Sequence, residues 1–329
     1  MTLLILTSSD SGTGALKTAG LADCVIGFGQ RFVWGQLQSP SELKRSLAPR
    51  DALSSHWLDN LTDECLDEAR SRGLGFVEFC EGFDAVELWI DPDPNAQLQM
   101  IWLLDYLRPY ADVTSRLRLL QTEFGIGNHW PSELATWRLE AVPIRNDHLE
   151  AASSAWAAWR APTPQAWFDL LARDVTALPH LRNSVISLLE ELPMRGCGVG
   201  ATEMRMLELI SAGHVHPSDL FPGHEKPNER RVFYYWEIGA LLDGLAHGPA
   251  PAVSGLDEGP FELEMHEDED RHARYKRSRL ALTELGKAVI AKADDFSQRN
   301  PIHRWWGGTE LTNDRLWRWD AENRALIAP

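Results

Sequence analysis

Cysteine is scarce in this sequence, with four in 329 residues. Cys24, Cys65, Cys80 and Cys197 form no CxxC pair, which excludes a zinc finger or a dithiol redox motif. We read all four as buried apolar residues in a reducing compartment. Long apolar runs are also missing. The N-terminal run, residues 3–6, has four residues and lacks a basic flank and a cleavage site, so no secretory leader is expected. No stretch approaches the roughly 18 apolar residues of a membrane span, so a cytoplasmic chain without a membrane partner is expected. Basic residues are outnumbered as well. Lys plus Arg total 32 against 48 Asp plus Glu, a net charge of −16. That balance argues against general binding to nucleic acid or anionic lipid. No Ser-His-Asp, Cys-His or HExxH grammar points to a hydrolase.

What is present is a globular composition, 44% hydrophobic and 24% charged, in a chain long enough for two cores. Residues 3–6 are a continuous apolar run, as a buried parallel strand requires. Residues 7–14 are Ser, Asp, Gly and Thr, and a helix is expected over 15–19. Strands are expected at 24–28, 85–90 and 117–120. Residues 40–60 carry helical spacing through Leu43, Leu47, Leu53 and Trp57, and Thr62 can cap a further helix. Residues 91–94, Asp-Pro-Asp-Pro, form a loop that the prolines keep out of sheet and helix. A helix with an apolar face follows over 96–107. This alternation predicts a Rossmann-like, mostly parallel α/β domain over 1–145.

Beyond it a helical connector is expected over 146–199. Residues 200–295 then run helix, short helix, long helix, wing, the order of a winged helix-turn-helix. The acidic run 262–270 would form the tip of the wing. Arg230 and Arg231 would begin the recognition helix, giving a local DNA contact as one use of this region. Acids outnumber bases here, so protein contact or internal packing is the stronger use. Residues 296–329 form a Trp/Arg-rich hairpin around Gly307-Gly308.

Several constellations carry chemistry. Ser9, Asp10, Ser11, Gly12 and Thr13 precede a helix, where N–H groups and hydroxyls can cradle an anion. The spacing fits neither Walker A nor GxGxxG, and a plain helix cap explains the same residues. Asp91 and Asp93, with Gln97 one turn on, end a strand where a metal or ribose is commonly held. Asp93 or Asn95 can equally cap the next helix. Arg304 and Trp305 suit recognition, or cation–π packing of the tail onto the body. His214, His216, His266 and His272 do not converge as a metal site needs, so no metal is assigned, and no cofactor is identifiable.

Three segments together resemble the bacterial family known as domain of unknown function 1835: Ser9-Asp10-Ser11 after the first strand, residues 88–99, and the tail from His303 through Asp320. The family has no assigned reaction, so the resemblance implies architecture rather than activity. Where relatives carry His and a later Asp, this chain has Pro92 and Ala96; where they carry Trp-Arg-Asp, it has Trp34-Gly35-Gln36. The loss of these ionisable groups favours binding over turnover. The reading of the sequence is therefore a ligand-binding or interaction protein for a phosphorylated or nucleotide-like small molecule. Its rivals are a Mg²⁺-dependent phosphoester enzyme using Asp91 and Asp93, and a DNA-binding regulator.

Overall fold

The structure, a computed structural model, describes all residues except 52–54, 60, 62 and 224–227. The helical position expected of Leu53 and the cap expected of Thr62 lie outside the described residues. The chain is mixed α/β and divides into two compact units. One comprises residues 1–32, 36–160 and 170–184; the other comprises 33–35, 161–169 and 185–329.

In the first unit the order is β1 (Leu3–Thr7), α1 (Asp10–Ala19), β2 (Cys24–Gly27), α2 (Pro40–Ser46), α3 (Asp67–Arg72), α4 (Phe76–Glu81), β3 (Ala85–Ile90), α5 (Pro94–Leu107), α6 (Ala111–Thr114), β4 (Leu117–Gln121), α7 (Pro131–Leu134), β5 (Val142–Pro143) and α8 (Asn146–Trp159). The strands form one sheet in the order β2-β1-β3-β4-β5, parallel except for β5. The chain leaves β1 towards one edge and β3 towards the other. Right-handed crossovers therefore put α1 and α5 on opposite faces. On the α1 face, Ile5, Val25, Trp89 and Leu120 pack with Leu16, Ile126 and Leu134. α5 is buried almost all round, and α8 packs beside it. Phe32 joins them, with its ring 5.3 Å from Trp102 and 4.9 Å from Trp156.

Two sequence expectations change here. The segment taken as a loop through Gly14 is already helical from Asp10, because Ser9 supplies the cap: its side chain accepts from Gly12 N–H. Pro94 does not hold its segment out of the helix; it opens α5 behind the cap residue Asp93, since a first-turn position needs no N–H donor.

The elements that follow are α9 (Gln165–Asp169), α10 (Leu181–Leu189), α11 (Ala201–Ser211), α12 (Pro217–Leu220), α13 (Tyr235–Ala246), β6 (Val253–Ser254), α14 (Leu263–Glu267), α15 (Glu269–Arg277), β7 (Ala281–Leu282), α16 (Glu284–Ile290), α17 (Phe296–Arg299), β8 (His303–Trp306), β9 (Thr309–Thr312), β10 (Arg318–Asp320) and β11 (Ala325–Ile327). β6 and β7 pair antiparallel, but the acidic run between them is helical and forms no wing tip. Asp268 caps α15 by accepting from Arg271 N–H, with Glu269 and Asp270 in the first turn and Arg274, Lys276 and Arg277 in the last. That charge order complements the helix dipole. α13 starts at Tyr235, so Arg230 and Arg231 precede it rather than begin it.

The tail folds back within the second unit. β8 and β9 form a hairpin across Gly307-Gly308, Trp306 Nε1 donates to Leu188 O at 2.7 Å, and Arg318 pairs with Asp295 at 2.9 Å. Among the described residues no helix is long and apolar enough to cross a membrane.

The cysteines also depart from expectation. Cys80 and Cys197 are free and buried, but Cys24 and Cys65 form a disulfide across a separation of 41 residues. Sequence spacing is silent on such a pair. The fold brings the start of β2 and the turn before α3 to a Cα separation of 5.8 Å. Closing a loop of that length is expected to stabilise the unit by about 4 kcal/mol in the chain-entropy model. Peptide mapping without reductant should recover a Cys24–Cys65 linked pair. Reduction, or Cys65→Ala, should lower unfolding stability to a common value; unchanged stability on reduction would refute the assignment.

Candidate functional site

The carboxyl ends of β1 and β3 bring Ser8, Ser9 and Asp91 together, at the point where the chain departs to opposite sides of the sheet. Asp91 is 5% exposed. Its Oδ1 accepts from Ile126 N–H at 2.8 Å and its Oδ2 from the Ser9 hydroxyl at 3.3 Å. Its own N–H donates to Ser8 Oγ at 3.3 Å, and its carbonyl accepts from Gln97 Nε2 at 2.8 Å. Gln97 Oε1 in turn accepts from Gln121 Nε2. Burial pushes the Asp91 carboxyl up to about 6, assisted by the nearby Asp93 carboxylate and opposed by these hydrogen bonds.

The candidate residues of this unit are therefore engaged with one another. Ser9 is the cap of α1, and Thr13 Oγ1 donates to Ser9 O within the helix. Gly12 is buried in the first turn, where a Cβ would lie 2.8 Å from Ser9 Oγ. Ser11 faces Gly127, where a Cβ would lie 2.2 Å from its Oγ. Asp10 is exposed in the first turn. Asp93 caps α5, accepting from Ala96 N–H at 3.1 Å. Asp91 and Asp93 thus serve different backbone groups, and no set of three or more metal-ligating side chains is found among the described residues. Asp10 in the first turn of α1 and Asp91 beside its cap Ser9 place negative charge at the positive end of the helix dipole.

The sequence singled out Arg304 and Trp305, but neither pattern nor spacing signalled the other polar groups that collect around Arg304. Arg304 and Trp305 belong to the other unit, and Arg304 lines a cavity there of about 790 Å³. The walls also carry Glu203, Asp243, His247, Asp257 and Glu258. Glu203 is buried at the start of α11, and its Oε2 accepts from Gly200 N–H at 2.7 Å and from Arg304 Nη1 at 3.1 Å. The remaining edge of that guanidinium, Nε and Nη2, is buried without a hydrogen-bond partner. Asp243 accepts from Phe261 N–H with Oδ2, while Oδ1 makes no hydrogen bond and faces the His247 imidazole, with Nδ1 at 3.5 Å. Burial raises the Asp243 carboxyl above the usual range. Glu258 is neutralised by Arg271 and Arg274. Trp305 lines a neighbouring recess of about 210 Å³, to which Arg304 also contributes.

Arg230, expected at a DNA-facing helix, is spent internally. Its Nε lies 2.6 Å from Glu191 and its Nη1 3.0 Å from Glu190, while Nη2 donates to Ser187 O. Those carboxylates raise its pKa despite burial, which on its own would lower it.

The Asp91 carboxyl makes a testable contribution to pH stability. The native state holds its proton more tightly than the unfolded chain, whose carboxyl titrates near 4. Stability is therefore lost as pH rises from about 4 to about 6, by roughly 3 kcal/mol for this group. Asp91→Asn, which keeps an oxygen for Ile126 N–H, is expected to remove that loss and to be the more stable protein at pH 8. Urea unfolding of both proteins at pH 4 and pH 8 measures it, and parallel pH profiles would contradict the account. In comparisons with known proteins, no family model matches this chain and no curated protein matches it.

Proposed function

We propose that this is a small-molecule-binding protein, and that its ligand occupies the cavity beside Arg304 in the second unit. The observation that carries this reading is the state of the Arg304 guanidinium. Glu203 holds Nη1, while the Nε/Nη2 edge has no partner. That edge is the one that grips a carboxylate or phosphate through two parallel hydrogen bonds. An unpaired buried donor costs about 1–3 kcal/mol, so a small turn of the side chain towards an anion relieves a standing cost. Asp243 Oδ1, which makes no hydrogen bond and has His247 beside it, suits a hydrogen-bond donor, such as an amine, on the same ligand. The volume lies within the range that accommodates metabolite-sized ligands.

The loop at Ser9 and the pair Asp91 and Asp93 act as structural junctions in this reading. The strand order with its switch point between β1 and β3 supports taking the first unit as Rossmann-like. The succession α11, α12, α13 and the β6–β7 pair supports a winged-helix-like region in which helices replace the wing. Kinship with domain of unknown function 1835 is proposed on the three segments quoted above.

The test is isothermal titration with inorganic phosphate, acetate, glycine and glucose 6-phosphate, alongside thermal shift. A ligand of this cavity must raise the melting temperature. Arg304→Lys keeps the charge but loses the two-pronged edge, and should weaken the best anion about tenfold or more. Titrations in which no anion saturates, or in which Arg304→Lys binds as the wild type does, would sink the proposal.

A further inference from the structure

A second recess in the same unit, of about 290 Å³, is built differently from the Arg304 cavity. Its walls include Phe221, Tyr235, Phe261 and Tyr275. Ring centroids lie 5.2 Å apart for Phe221–Tyr235, 5.0 Å for Tyr235–Phe261 and 4.8 Å for Phe261–Tyr275, with inclined planes. Rings inclined in this way present edges and faces on which another aromatic ring can pack. Phe221, Phe261 and Tyr275 are buried, which anchors three of these walls, whereas Tyr235 is 43% exposed at the mouth.

The charge lining this recess is opposite to that of the chain. The protein carries −16, and the Arg304 cavity is lined by four carboxylate side chains, yet the described lining of this recess contains none. Among the described residues of its lining, the ionisable groups besides tyrosine are His272 and Lys276, both on α15. Lys276 is exposed and makes no ion pair among the described residues. His266, whose ring packs at a tilt on His272 with centroids 3.8 Å apart, is held by a 2.6 Å hydrogen bond with the Tyr235 hydroxyl, and this braces the mouth.

We propose that this recess binds a small aromatic carboxylate, one or two rings in size. The ring packs against the wall formed by Tyr235, Phe221 and Phe261, and the carboxylate pairs with Lys276 at the rim. Size agrees: a dry cavity of about 150 Å³ already accepts benzene. The aromatic walls select a flat apolar body, and Lys276 selects its anionic end. This site is separate from the function proposed above and stands on different residues.

Benzoate, benzyl alcohol and acetate, titrated calorimetrically into the whole protein, test it. Benzoate is expected to saturate a site that acetate does not fill. Lys276→Gln, at an exposed position that leaves folding intact by circular dichroism, should weaken benzoate about fivefold, as loss of a rim ion pair does. The same variant should bind benzyl alcohol as the wild type does. Tyr235→Leu should weaken both aromatic probes. The proposal is overturned by an absence of saturable benzoate binding, by acetate binding as well as benzoate, or by benzoate binding that is indifferent to Lys276→Gln.

Discussion

The first unit turns on one buried carboxyl group. Asp91 ends β3, and its two oxygens and its backbone tie four segments together: the β1 exit at Ser8, the α1 cap at Ser9, the turn after β4 at Ile126, and α5 through Gln97. A carboxylate taken out of water is costly unless its lone pairs are filled. Here the filling groups are the ends of the elements that must converge at the carboxyl edge of the sheet. A residue type that looks like a ligand-binding acid therefore acts as a fastener. The glycines agree with this: a Cβ at Gly127 or Gly27 would run into Ser11 or Thr13 at 2.2 Å, so α1 sits against its neighbours more closely than side chains would allow.

In α5, polar residues in a buried helix act in the same way. Asn95 accepts from Phe32 N–H and donates to Gln30 O, and Gln99 donates to Phe28 O and Gln30 O. These amides satisfy the irregular backbone that follows β2, a stretch with no ladder of its own to satisfy it. The helix can thus be buried on nearly every side without leaving the adjacent loop unpaired.

The second unit uses Arg–Glu pairs for the same purpose. Arg230 is absorbed by Glu190 and Glu191, and Glu191 also accepts from the Thr202 hydroxyl and N–H. Breaking such a pair strands a buried charge. Arg304 differs because Glu203 occupies only one of its nitrogens. Two arginines adjacent to glutamates in one unit thus have different roles, set by how many of their five donors the protein itself engages.

Periodicity alone determined a good deal. The apolar runs at residues 3–6 and 24–28 and the mainly apolar stretches at 85–90 and 117–120, interrupted by Glu87 and Arg118, identified the four parallel strands, because strands covered by helices on both faces are mostly apolar. The turn at Gly307-Gly308 was legible for a local reason as well. Local chemistry misled where two structures share one composition. A run of Ser, Asp and Gly serves a loop or a capped first turn, and an acidic run serves a wing tip or the start of α15. Only tertiary structure decided the Cys24–Cys65 bond, the partners of Asp91 and the incomplete pairing of Arg304. Each depends on residues tens to more than a hundred positions apart, and what a charged side chain does follows from the donors and acceptors that the fold brings within 3 Å of it.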